Sequence, residues 1–116
     1  TGQGNATIAP GSIEAYTSAA IPGWRSSLLV TGMRTGAVYR VPLNGDGTAA
    51  AGPPLEYFRR ANRYRDTAVA PDGRRIFVVT DSFGSVLDAQ WQRTEALDEP
   101  GALLEFTYVP ASRQER

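Results

Sequence analysis

Glycine, proline and Asn/Asp-Gly turn signals interrupt this chain so regularly that a long helix has no room to form. No window of about 12 residues or more carries a 3.6-residue apolar period. Between the turns lie short apolar runs rich in Val, Ile and aromatic residues, which is the composition of strands. The sequence therefore predicts an all-β chain wound as an antiparallel meander.

Residues 27–33 (SLLVTGM) are nearly continuous in apolar side chains and predict a buried strand, closed by a tight turn at Thr35-Gly36. Residues 37–43 (AVYRVPL) alternate, with Val38, Arg40 and Pro42 on one face and Ala37, Tyr39, Val41 and Leu43 on the other. Pro42 marks a strand end or an edge. The run 44–47 (NGDG) is a turn, 48–54 a linker of small residues and proline, and 55–59 a short strand. Residues 66–70 and 74–81 flank Pro71-Asp72-Gly73 and predict a β-hairpin, because proline presets φ and Asp-Gly accepts the positive φ of the turn. Residues 85–100 are polar and acidic and read as a surface loop, with at most one helical turn around 94–97. Residues 101–109 (GALLEFTYV) form the last strand.

Propeller blades take about 40–50 residues each, and a closed ring needs at least about four of them. A chain of 116 residues supplies two to three. Such a piece is incomplete as a fold on its own, because its sheet faces lack neighbours. Either it docks onto another segment, or it is a small sandwich or open barrel.

Twelve acidic residues balance twelve basic ones, so net charge gives no general reason for nucleic-acid or membrane binding. All the bases are arginine, the better fork for carboxylates. The absence of cysteine removes disulfides, thiolate nucleophiles and thiolate metal ligands. The absence of histidine removes a histidine base, a Ser-His-Asp triad and histidine metal ligands from these residues. No run approaches the roughly 20 apolar residues of a transmembrane helix. Residues 1–4 are polar and unlike a signal peptide, so any targeting signal either lies upstream or does not exist.

The stretch 59–66 (RRANRYRD) is the richest in chemistry. Arg63 and Arg65 stand two apart, so in an extended backbone both leave one face and Tyr64 turns the other way into packing. Two guanidinium forks on one face suit an anion with several carboxylates or phosphates. The competing reading is a solvated basic loop ion-paired to Glu56 and Asp66. A nucleic-acid site would also use arginine and aromatics, but the run is short and no nucleic-acid motif accompanies it. Arg34 sits where the 27–33 strand exits into its turn, equally suited to a ligand or to solvent. Asp72-Gly73, 44–47 and 81–84 (DSFG) read as turns, and none has EF-hand spacing. Asn5-Ala6-Thr7 fits a glycosylation sequon weakly, and Trp24 and Trp91 read as packing residues.

Taken together, NRYRD (62–66), APDG (70–73) and FVVTD (77–81) resemble the C-terminal region of the soluble PQQ-dependent glucose dehydrogenases, within the glucose/sorbosone dehydrogenase family. So do TIAP (7–10), Gly23-Trp24, LLV (28–30) and EPGALLEFTY (99–108), in order along nearly the whole chain. The resemblance implies that residues 1–109 are the C-terminal part of a six-bladed β-propeller, followed by a polar tail at 110–116. It implies an enzyme that oxidises aldoses at the anomeric carbon to lactones with pyrroloquinoline quinone (PQQ), a planar tricarboxylate.

Carried over by position, Arg63 and Arg65 match the family's two cofactor-binding arginines. Arg34 falls where the family has a cofactor-binding lysine, Met33 at an apolar position lining the cofactor, and Thr7 at a threonine bonding a PQQ carboxylate. Two aromatic positions before that threonine are held here by Gly2 and Asn5, which changes the expected sugar contacts. The family's histidine base and calcium ligands lie N-terminal to the matched region, so this chain holds no catalytic residue and no metal ligand of that set. The expected partners are the remaining N-terminal propeller segment, an aldose and an external electron acceptor, in the periplasm or outside the cell. The alternative is a non-catalytic propeller that binds protein or glycan, since fold does not fix function. A third possibility is a free-standing small β-domain.

Overall fold

The computed structural model describes residues 8–110; Thr7 and all but the first residue of the 110–116 tail lie outside the described residues. The described chain is all strand and loop. β1 (Pro10–Tyr16), β2 (Ser27–Gly32), β3 (Val38–Pro42) and β4 (Leu55–Tyr57) form a four-stranded antiparallel meander in chain order. β5 (Tyr64–Val69), β6 (Arg75–Thr80) and β9 (Leu103–Thr107) form a second antiparallel sheet. β7 (Val86–Leu87) and β8 (Arg93–Thr94) make a small hairpin in the connection from β6 to β9. The two main sheets are propeller blades, one of four strands and one of three.

Most boundaries follow the turn chemistry. β3 stops at Pro42, which has no N–H to continue a ladder. In the 44–47 turn, Asn44 Oδ1 accepts from Thr48 N at 2.9 Å, and Asp46 Oδ1 accepts from the Thr48 hydroxyl at 2.7 Å. The PDG turn closes β5 on β6, with Gly73 N donating to Ala70 O at 2.8 Å. Residues 85–100 depart from the loop reading, since they contain β7 and β8 and no helical turn. Their turn is closed by Asp88, whose Oδ1 accepts from the amides of Gln90 and Gln92 at 2.9 Å each.

The blades press together through a core of Tyr16, Ile21, Trp24, Leu29, Val38, Tyr64, Ile76 and Val78. Burying each large apolar side chain contributes about 1.5–3 kcal/mol. Of the two faces of β3, the inner one carries Val38 and Arg40. The Arg40 guanidinium lies 5.3 Å from the Trp24 ring centroid and donates to Gly23 O and Ser27 Oγ, each at 3.1 Å. Trp24 is thus a packing residue. The first strands of the two blades, β1 and β5, run side by side. A Cβ on Gly11 would stand 2.5 Å from Arg65 O, so only glycine allows the approach. Thr31 Oγ1 donates to the same carbonyl at 3.4 Å.

The pairing of β5 with β6 slips between Tyr64 and Asp66, leaving Arg65 as the extra residue of a β-bulge. On the outer faces Ile13, Leu55, Val79 and Leu103 are exposed. These apolar faces fit a fold that continues beyond the two blades. Among the described residues no helix is long and apolar enough to cross a membrane.

Candidate functional site

Each residue of the NRYRD block has its own task. Asn62 is fully buried and locks the block to the loop before β9: its Nδ2 donates to Glu99 Oε1 at 2.6 Å and its Oδ1 accepts from Glu99 N at 2.8 Å. Arg60 grips the same carboxylate with Nε and Nη2, at 2.9 and 2.6 Å. Tyr64 turns into the core, as the alternation predicts, and its hydroxyl donates to Phe58 O at 2.6 Å. Burial pushes the Tyr64 phenol up from its ordinary pKa. Asp66 accepts from Thr67 N at 2.8 Å.

Arg63 and Arg65 converge on Asp81, one residue beyond β6. Arg63 Nε donates to Asp81 Oδ2 at 2.9 Å, and Arg63 Nη1 donates to Ser85 O at 2.7 Å. Arg65 takes Asp81 as a fork, Nε to Oδ1 at 2.9 Å and Nη2 to Oδ2 at 3.0 Å. The Asp81 carboxyl is held below its ordinary range, chiefly by the Arg65 hydrogen bond and then by Arg63. Neither arginine pairs with Glu56 or Asp66. Glu56 pairs with Arg59 instead.

One Nη of each arginine, Nη2 of Arg63 and Nη1 of Arg65, keeps its donors free of described partners. The Arg65 side chain is 52% exposed and the Arg63 side chain 23%. Both forks are thus oriented by one carboxylate and still able to donate outward.

Arg34 and Met33 occupy the turn after β2. Their amides hold Ile8 O, at 2.8 Å from Arg34 N and 3.1 Å from Met33 N, just after Thr7 in the chain. Met33 is half-buried and Arg34 exposed. Arg34 borders a cleft of about 70 Å³ with Ser85, Val86, Leu87 and Arg93, and its carbonyl accepts from Leu87 N at 2.8 Å. The segment from Ser85 to Leu87 therefore touches both Arg34 and Arg63. Arg63 and Arg65 share the single carboxylate of Asp81, which leaves a surplus of one positive charge, and Arg34 and Arg93 border the neighbouring cleft, Arg93 paired with Glu95. Such a cluster suits a polycarboxylate. Among the described residues no group of three or more acidic side chains gathers to hold a metal.

The sequence reading missed Asp81, Gly84 and Ser85. Asp81 and Gly84 read as part of the 81–84 turn, and Ser85 as the start of the 85–100 surface loop. Counting outward from the PDG turn without a bulge sets Asp81 opposite Tyr64, on the face away from Arg63 and Arg65, so the count gives no signal for the pairing.

Comparison with known proteins agrees with the geometry. Residues 3–88 match the Glucose / Sorbosone dehydrogenase family. The chain is similar to quinoprotein glucose dehydrogenase B of Acinetobacter calcoaceticus, 36% identical over 104 residues. The matched stretch is 88% of this chain and 22% of that protein, so the chain spans about a fifth of its relative's length. With the family match covering most of its residues and two propeller blades in its structure, this chain belongs to the glucose/sorbosone dehydrogenase family.

Proposed function

We propose that this chain is the C-terminal part of a PQQ-dependent sugar dehydrogenase and supplies the residues that bind the cofactor's carboxylates. The observation that carries this reading is the convergence of Arg63 and Arg65 on Asp81, with one Nη on each fork lacking a partner among the described residues. The donor set fits the group. A planar tricarboxylate needs directional cationic donors, and flat guanidiniums provide them. PQQ supplies the two-electron redox chemistry by which an aldose is oxidised at its anomeric carbon.

This chain's part is to bind and orient. Arg63 and Arg65 would hold carboxylate oxygens through the Nη groups that have no described partner, with Asp81 keeping both forks aimed. Arg34 supplies a further positive charge across the segment from Ser85 to Leu87. Met33 and Thr7 are assigned to the same site by family position, as an apolar wall and a hydroxyl contact. The family's base is a histidine and this chain contains none, so the sugar hydroxyl proton would be taken by a residue elsewhere in the protein. Calcium ligands are assigned to that same remainder.

The test is a titration of the whole protein with PQQ in the presence of calcium, beside a double variant Arg63→Ala/Arg65→Ala, followed by cofactor absorbance and by dye reduction with aldoses. Saturable binding that the variant loses, with aldose-dependent reduction, is the expected result. No binding by the folded wild type overturns the reading and leaves a non-catalytic propeller.

A further inference from the structure

The segment that touches Arg34 and Arg63 is itself held from outside the site. Arg59 follows β4, and its Nη2 donates to the carbonyls of Leu87 and Asp88, each at 3.0 Å. Its Nη1 pairs with Glu56 Oε2 at 3.1 Å, and its Cζ lies 4.8 Å from the centroid of the Trp91 ring. Trp91, read from the sequence as packing, is 60% exposed and packs on this guanidinium. Leu87 donates its own N–H to Arg34 O and bridges to Thr35. The stretch from Ser85 to Asp88 is thus gripped at Ser85 by Arg63, at Leu87 by the backbone of Arg34, and at Leu87 and Asp88 by Arg59.

β7 and β8 are two residues each, too short to fix their own position by ladder bonds. Anchoring has to come from side chains. Arg59 Nε is buried with no hydrogen-bond partner among the described residues. Leaving that donor unmatched is unfavourable, so the side chain's orientation follows from the two carbonyls, Glu56 and the ring rather than from full satisfaction of its own donors.

We propose that Arg59, stacked on Trp91, is a positioning residue for the anion site: it fixes the stretch from Ser85 to Asp88 and with it the spacing of the Arg34 and Arg63 guanidiniums. The proposal rests on the reading of those arginines as cofactor-binding. It depends on the shape of the fork and not on charge alone. Lysine keeps the charge but has neither the forked donors nor the flat face that meets the indole.

The experiment compares Arg59→Lys, Arg59→Gln and Trp91→Leu with wild type in the whole protein. Hydrogen exchange at the Leu87 amide is read without cofactor, and PQQ affinity is read by titration with calcium. Both Arg59 variants are expected to speed exchange at Leu87 and to weaken PQQ binding by about tenfold. Trp91→Leu is expected to do the same to a smaller degree. It decides the question if the arginine variants fail to fold, since Trp91 is largely exposed. Wild-type affinity in Arg59→Lys with a loss in Arg59→Gln assigns Arg59 to simple charge attraction and overturns positioning. Unchanged exchange and affinity in all the variants overturns it as well. A wild type that binds no PQQ is a different result: it removes the cofactor reading, and this proposal with it.

Discussion

A Cβ atom on Gly84 would stand 2.6 Å from both Cδ and Nε of Arg63. The Arg63 side chain crosses the backbone at that point on its way to Asp81 and Ser85, and Gly84 has φ 124°, outside the range side chains favour. Gly84→Ala is therefore expected to push Arg63 off both acceptors and to destabilise the protein by about 1–3 kcal/mol. Denaturant unfolding reads the second effect and PQQ titration the first. Unchanged affinity in the folded variant would make the crossing incidental.

Acid is expected to loosen the site. Asp81 is held below the ordinary carboxylate range by Arg65 and then Arg63, and Glu99 by Arg60 and then Asn62. A carboxylate whose folded pKa is depressed lends stability above its unfolded pKa and loses it as pH falls through the folded one. Wild-type stability should therefore decline below about pH 4. Asp81→Asn should be less stable at neutral pH and show a shallower acid decline. Thermal unfolding between about pH 6 and about pH 3 checks this, and parallel curves for the two proteins would refute it.

Asn62→Ala is expected to cost about 2–3 kcal/mol, because it leaves the Glu99 amide and carboxylate without partners that the buried amide supplies. Asn62→Asp is expected to cost more, since it sets a second carboxylate against Glu99. Melting temperatures of the two variants rank these effects. An Asn62→Asp protein as stable as wild type would contradict the locking role.

Tyr64→Phe separates the block's core post from its anion forks. It removes one hydroxyl donor to Phe58 O and should cost about 1 kcal/mol with PQQ affinity unchanged. A loss of affinity without a loss of stability would reassign Tyr64 to the ligand.

The strands that could be read from the sequence were those whose own composition declares them. β2, β3, β5, β6 and β9 hold the Val, Ile and aromatic runs, and their turns carry Pro, Asp, Asn and Gly at the positions that need them. β1 did not stand out, because PGSIEAY is mostly small or polar and owes its form to pairing with β2. β7 and β8 are too short to show a period and depend on Arg59 and Asp88 for their place.

The site divides the same way. Arg63 and Arg65 were legible from their two-residue spacing. Asp81 was obscured by the bulge: an unbroken register from the PDG turn sets it opposite Tyr64, whereas the structure pairs Tyr64 with Thr80. Tertiary partners such as Glu99 for Asn62, 37 residues apart, leave no local trace in the sequence.

The supernumerary residue in β5 gives the molecule a joint. Arg65 has no opposite number in the ladder, and its carbonyl is held instead by Thr31 of the neighbouring blade. Its main chain answers to one sheet and its side chain to the other's reach. The two blades therefore meet at this residue's carbonyl, against the Thr31 hydroxyl and the backbone of Gly11. The residue that carries a cationic fork to Asp81 is thus also the residue at which the two blades touch.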